Sequence, residues 1–144
     1  MSLNNLANVQ RDLGEHARAL ALYEQALAIQ REALPADHPD IAMSLNNLAS
    51  VHRDFGEHAR ALALHEEALM TLRRVLPPDH PDIAASLNNL ANVHSDRGEY
   101  ARALARAEEG LTISRKALPA DHLDIAPWRF TRRRWRSGAS LPDY

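Results

Sequence analysis

Asparagine side chains recur along this chain at a spacing that would place them on one surface. Asn46, Ser50 and Arg53 are four and then three residues apart, so they would share one side of an α-helix. The same arrangement is found 42 residues earlier and 42 residues later, in each case beside a second asparagine: Asn4, Asn8 and Arg11 with Asn5; Asn88, Asn92 and Ser95 with Asn89. In the middle copy the second asparagine is Asn47. We call these recurring side chains, together with the arginine or serine that ends each set, the ladder. Because an amide offers both a donor and an acceptor, the ladder could hold the backbone of an extended peptide.

Two alternatives compete with this interpretation of the polar ladder. The inner asparagines Asn5, Asn47 and Asn89 could instead bond a neighbouring helix end or loop and be structural. Arg11 and Arg53 alternate with a series of aspartates (Asp12, Asp54 and Asp96), so the edge of the surface has both signs of charge. This pattern favours ion pairs between neighbouring units, worth roughly 0–1 kcal/mol each, over a dedicated clamp for an acidic motif.

Histidine and aspartate also recur together, in the series Asp37-His38-Pro39-Asp40, Asp79-His80-Pro81-Asp82 and Asp121-His122-Leu123-Asp124. These side chains can bind divalent metal, but adjacent residues in one loop seldom point at a single ion. Side-chain capping at a helix start is the favoured interpretation, so no metal site is predicted. His16 and His58 align with Tyr100, which indicates partly buried positions that accept any flat ring.

Nothing in the sequence predicts an enzyme or a bound cofactor. There is no Gly-rich phosphate loop, no paired catalytic carboxylate and no nucleophile with a partner histidine. The formal charge of −2 on 144 residues gives no reason to expect nucleic acid as partner of the whole molecule, and there is no cysteine. No apolar run approaches the roughly 18 residues of a membrane span, so a cytoplasmic location is expected.

The elements that would position these residues follow from an internal repeat. Residues 1–42 and 43–84 have the same residue at 31 of 42 positions, and a third copy follows to about residue 124. Each copy has two runs of apolar residues at helical spacing, separated by a glycine (Gly14, Gly56 and Gly98) that predicts a tight turn. In the middle copy the second helix is expected from about Glu57 to Val75, before Leu76-Pro77-Pro78. The first helix of the next copy would begin near Pro81.

The pattern of small residues and leucines resembles the tetratricopeptide repeat. Leu48-Ala49 replaces its Leu-Gly pair, Gly56 its turn glycine, and Ala61 and Ala68 the alanines of its second helix. The longer unit, with Leu-Asn-Asn-Leu-Ala in the first helix, is similar to the repeats of kinesin light chains. This resemblance implies an all-α, right-handed solenoid of three helix pairs that binds a peptide or partner protein in its concave groove. It also implies that the outward asparagines contact the peptide.

We expect the repeat array to occupy residues 1–126, with units at about 1–38, 39–80 and 81–122 and the start of a fourth. Residues 127–144 depart from the pattern, because Arg129, Arg132 and Arg133 would fall at buried apolar positions. This segment could be a divergent cap, a disordered tail or the product of a reading-frame change. Its arginines and aromatic residues could also contact nucleic acid or an anionic membrane surface. A non-catalytic interaction scaffold is therefore the favoured function, with self-association through the solenoid ends and contact through the tail as alternatives.

Overall fold

A computed structural model of the chain describes residues 2–117, and these residues form six helices and no strand. The bounds are α1 Leu3–Asp12, α2 His16–Ala33, α3 Pro39–Asp54, α4 His58–Val75, α5 Pro81–Asp96 and α6 Tyr100–Ala117. We refer to α1 and α2 as unit 1, to α3 and α4 as unit 2, and to α5 and α6 as unit 3. The expectations for the fourth repeat and for residues 127–144 lie outside the described residues.

Side chains at the start of the first helices define where those helices begin. The His38 Nδ1 atom accepts a hydrogen bond from the Asp40 N–H at 3.0 Å, and the His80 Nδ1 atom accepts from Asp82 in the same way. A proline follows each histidine at the first helical position, where the missing N–H costs nothing. The recurring Asp-His-Pro-Asp sequence therefore starts a helix, and the histidine is the capping residue.

The turns and the second helices match the predictions. Gly14, Gly56 and Gly98 have φ angles of 82°, 79° and 77°, a left-handed conformation that a residue with a Cβ rarely adopts. The second helix of unit 2 begins at His58 and ends at Val75, close to the predicted limits. The residue that follows, Leu76, is the C-cap, and its extended backbone leads into Pro77.

Successive helices pack against each other in chain order, and α3 also contacts α5 directly. The core consists of leucines and small residues at repeating positions; Leu45, Leu87 and Leu90 are fully buried, as are Ala19 and Ala61 on the second helices. Each unit thus buries its apolar face against its neighbours, as in a solenoid. The predicted all-α helical repeat is confirmed. No described helix has the length and apolar character needed to cross a membrane.

Candidate functional site

The first helices α1, α3 and α5 present the asparagine ladder on one face. Asn8, Asn88 and Asn92 are exposed, while Asn4, Asn46 and Ser50 are half-buried. Of the adjacent asparagines, Asn5 is exposed and Asn47 and Asn89 are half-buried. The first helices α3 and α5 contact each other directly, and we refer to the face of the first helices that bears these asparagines as the inner face.

Two asparagines of the ladder bond the next unit. The Asn4 Nδ2 atom donates to the Ser44 Oγ atom at 3.4 Å, and the Asn46 Nδ2 atom donates to the Ser86 Oγ atom at 3.1 Å. Both serines are fully buried in their first helices. These bonds tie each first helix to the next, a structural role that the sequence pattern indicated only for the inner asparagines.

The inner asparagines make no such bonds. Asn5, Asn47 and Asn89 have no side-chain hydrogen bond to any described residue. The structural role is therefore taken by Asn4 and Asn46, one position earlier in the motif. The sequence signal for this role is the serine that recurs two residues before Asn46 and Asn88, at a helix position that is fully buried in the structure.

His65 completes the network in unit 2. Its Nδ1 atom lies 2.8 Å from the Asn46 Oδ1 atom. Because the amide nitrogen of Asn46 already donates to Ser86, its oxygen is the acceptor and the His65 ring donates from Nδ1. Burial away from water, with the positive charge of Arg53, lowers the pKa of His65 to about 4, so the ring is neutral near pH 7.

Unit 1 fills the equivalent position differently. The fully buried Tyr23 takes the place of His65, and its hydroxyl donates to the Asn8 Oδ1 atom in a short hydrogen bond. The Asn4 Oδ1 atom is left buried with no hydrogen-bond partner among the described residues. Burial raises the pKa of the Tyr23 phenol, which keeps the hydroxyl protonated as a donor.

The arginines of the ladder pair with the next unit. The Arg11 guanidinium donates two hydrogen bonds to the Asp54 carboxylate, with Nε at 2.6 Å and Nη2 at 3.1 Å from its oxygens. Arg53 makes the same two-bonded pair with Asp96. The hydrogen bond to Arg53 lowers the pKa of Asp96, and each hydrogen-bonded aspartate raises the pKa of its arginine. In unit 3 the arginine position is Ser95.

The histidines aligned with Tyr100 lie beside these ion pairs. His16 is half-buried and packs edge-on against Phe55 of unit 2, with ring centroids 6.0 Å apart. Tyr100 is instead 69% exposed, so the expectation of partial burial is wrong at this position. The ring that covers His16 comes from the following unit, and the residue that would correspond to Phe55 for Tyr100 lies outside the described residues.

A cleft lies at each of the two junctions between units, on the side of the second helices. The first has a volume of about 450 Å³ and is bordered by the Arg31–Glu67 and Arg74–Asp37 ion pairs. The second, of about 510 Å³, is bordered by the pair of Arg73 with Glu109. Within residues 2–117 no group of three or more histidines and carboxylates could hold a metal ion.

Tetratricopeptide repeat models match residues 1–73 and residues 83–124. The first match covers 73 of the 144 residues. The chain belongs to the tetratricopeptide repeat family. Its repeats are of the kinesin-light-chain-like type, as the sequence motifs predicted. Repeats of this family generally mediate protein–protein interaction. A search of curated protein sequences finds no match.

Solved structures support the assignment of this tetratricopeptide protein. It is 27% identical, with a TM-score of 0.76, to the nearly identical TPR-like repeats of a kinesin light chain candidate from Podosopora anserina; the match covers 95% of this chain and 66% of that one. It is 28% identical to BtubC (BKLC) from P. vanneervenii at a TM-score of 0.76, covering 87% and 49% of the two chains. The TPR domain of Sgt2 from Aspergillus fumigatus, at 21% identity and a TM-score of 0.61, shares the fold; the match covers 99% of this chain and 84% of that one. This chain therefore spans about two thirds of the length of the Podosopora anserina chain and about half of the length of BtubC.

Proposed function

We propose that this tetratricopeptide protein is a non-catalytic scaffold that binds an extended peptide, or an extended segment of a partner protein, along the inner face of its first helices. The observation that supports the proposal is the ladder of amides repeated at 42-residue spacing on that face. The proposed surface comprises Asn4, Asn8, Arg11, Asn46, Asn47, Ser50, Arg53, Asn88, Asn89 and Asn92. Unbonded amides suit peptide backbone groups, which are themselves donors and acceptors.

Substitutions to arginine, made on the inner face in one variant and on a second helix in another, test which side of the stack binds the peptide. Peptides are first selected from a random-sequence pool on the unmodified chain, and their dissociation constants are measured by fluorescence anisotropy. Asn47→Arg combined with Asn89→Arg puts two bulky charges on the inner face, whereas the control Gln25→Arg puts one on an exposed second-helix position. We expect the inner-face variant to lose binding and the control to retain it. Equal loss in both variants, or failure to select any peptide, would contradict the proposal.

A second candidate function is self-association of two or more copies. Leu6 and Val9 on α1 are 36% and 45% exposed, while their equivalents Leu48 and Val51 in unit 2 are 7% and 0% exposed, and α2 of unit 1 packs against the helix that bears them. A second copy could cover the α1 residues in the same way. Light scattering on a size column, over a wide concentration range, tests this. A mass that rises with concentration, and no longer rises in Leu6→Lys, would support it; a constant monomer mass would exclude it.

A further inference from the structure

The two clefts on the side of the second helices are built from equivalent positions. The residues that border the first cleft lie within residues 31–74, and those that border the second lie 42 residues further along, within residues 73–116. The second cleft is therefore formed by described residues. Its volume of about 510 Å³ is in the range of sites in which proteins hold small ligands.

The floor of the second cleft is apolar. Ile83 on α5 and Ile113 on α6 border it and are 1% and 8% exposed, and Pro78 adds an apolar ring at its edge. The hydroxyl of Thr112, which also borders the cleft, donates to the Glu108 carbonyl oxygen at 2.9 Å. An apolar side chain placed here would displace water without costing these residues a hydrogen bond.

The charges on the border of the first cleft cancel. Two basic and two acidic residues border this cleft, and they form two ion pairs, Arg31–Glu67 at 3.1 Å and Arg74–Asp37 at 3.3 Å. Each basic side chain thus has an acidic partner. A charged group of a ligand would meet both signs of charge there and gain little net attraction.

The second cleft has an excess of positive charge. Its border has two basic residues, Arg73 and Lys116, and a single acidic residue, Glu109. Glu109 pairs with Arg73 and also with Arg106, whereas Lys116 makes no ion pair within the described residues. Asp79 stands at the position of an acidic partner in the first cleft, but it does not border the second. The ammonium of Lys116 is therefore available to an anionic group of a ligand.

We propose that the cleft between units 2 and 3 is a second binding site of this protein, which accepts an apolar side chain of a partner protein next to an acidic residue. The apolar side chain lies on Ile83 and Ile113, and the carboxylate pairs with Lys116. Because repeats of this family generally mediate protein–protein interaction, the occupant is a segment of a partner protein. The site is formed by second helices, so it is independent of the inner face and of the function proposed for that face.

Methyl NMR tests this proposal, because the δ1 methyl of Ile41 reports on the first cleft and those of Ile83 and Ile113 report on the second. The probes are three acetylated and amidated peptides: Gly-Leu-Glu-Leu-Gly, the basic Gly-Leu-Lys-Leu-Gly and the polar Gly-Ser-Glu-Ser-Gly. We expect the first peptide, at millimolar concentration, to shift the Ile83 and Ile113 signals, and the other two to bind about fivefold more weakly or less. Equal shifts from all three peptides, or no shift from the first, would overturn the proposal.

Substitutions at the border separate the contribution of charge from that of shape. Lys116→Glu should weaken binding of the acidic peptide by about fivefold, and high salt should weaken its binding to the unmodified chain. Thr112→Tyr fills the second cleft and should abolish binding, whereas Met70→Tyr, at the equivalent exposed position of the first cleft, should leave it unchanged. Circular dichroism establishes that each variant is folded. Undiminished binding by folded Lys116→Glu, or equal effects of the two tyrosine variants, would overturn the proposal.

Asp37→Asn offers a gain of binding at the first cleft. This variant removes the acidic partner of Arg74, so the first cleft acquires the excess positive charge of the second. We expect the acidic peptide to shift the Ile41 methyl signal in Asp37→Asn and not in the unmodified chain. An Ile41 signal that shifts equally in both chains would overturn the proposal, because the charge of the border would then not select the cleft.

Discussion

Units 2 and 3 contain the same Leu-Asn-Asn-Leu-Ala motif, yet their asparagines have different surroundings. Asn46 is half-buried and bonded on both sides, to His65 of its own unit and to Ser86 of the next. Asn88 is exposed and faces a glycine, with alanine at the position of the ring. The motif therefore fixes where an amide lies on its helix, while the hydrogen-bond partners of that amide come from the second helix of its own unit and from the first helix of the next.

The apolar positions should show no such difference between the two units. Leu48 and Leu90 occupy the same position and are 7% and 0% exposed. Leu48→Ala and Leu90→Ala should each lower the free energy of unfolding by roughly 2–5 kcal/mol, because each opens a cavity in the stack. Urea denaturation followed by circular dichroism measures the loss. The control is Leu6→Ala, whose side chain is 36% exposed, so its cost should be smaller; a Leu48 variant as stable as the Leu6 variant would contradict the core assignment.

The buried ring of His65 in unit 2 should make the free energy of unfolding depend on pH. Unit 3 has Ala107 at the equivalent position and contributes no such dependence. The pKa of His65 is lowered to about 4 in the folded chain, so the unfolded chain binds more protons between about pH 6.5 and pH 4. His65 thus contributes stability that is present above about pH 6.5 and is lost as pH falls, by roughly 3 kcal/mol at pH 4.

The matched control for this pH dependence is His65→Tyr, which copies unit 1. Urea denaturation at a series of pH values should show a shallower decline for this variant over the same range. Asp96 also loses stabilisation as pH falls, because its pKa is lowered, so the difference between the two chains is the relevant quantity. Parallel curves for the two chains would contradict the assignment of a neutral buried His65.

Gly110 should report how closely the Asn88 amide approaches α6. An alanine Cβ at this position would lie 3.0 Å from the Asn88 Oδ1 atom and 3.3 Å from the Ala84 carbonyl oxygen. Gly→Ala inside a helix gains about 1 kcal/mol, but the crowding should offset part of this gain. The gain should be larger in an Asn88→Ala background, as a double-mutant cycle of melting curves would show. Equal gains in both backgrounds would mean that Asn88 does not crowd this site.

The smallest expected effect belongs to the ion pair between units 2 and 3. Arg53→Gln should cost about 0–1 kcal/mol and less at high salt, because the Arg53 and Asp96 side chains are both partly exposed. Arg60→Gln is the control, since Arg60 is exposed on α4 and makes no ion pair with the described residues. Denaturation at low and high salt measures both variants. A salt-independent loss in the Arg53 variant would point to lost packing instead of lost charge.

The ion pairs beside the outer clefts differ between the two junctions. The Arg74–Asp37 pair spans the first junction at 3.3 Å, and its equivalents in the second are Lys116 and Asp79, which form no ion pair within the described residues. The two junctions are therefore alike in their apolar contacts and unlike in their outer charges.

Much of the fold was predictable from residues whose effect is local. Gly56 required a left-handed turn and Pro77 ended the preceding helix whatever the surroundings, so the helix limits followed from the sequence. The face of the ladder was also predictable, because helical spacing alone aligns Asn46 with Ser50 and Arg53. The partners of these residues were not, because they lie on other helices 19 to 43 residues away.

The sequence by itself thus determined the repeat, the helix boundaries and the row of amides, since each depends on backbone propensity and periodicity within one unit. Only the tertiary structure decided which amides are occupied. That outcome depends on which side chain of a neighbouring helix reaches each amide: the hydroxyl of Tyr23 reaches Asn8, His65 and Ser86 reach Asn46, and no described side chain reaches Asn88. A hydrogen bond forms only where donor and acceptor meet within about 3 Å, and helix packing sets that distance.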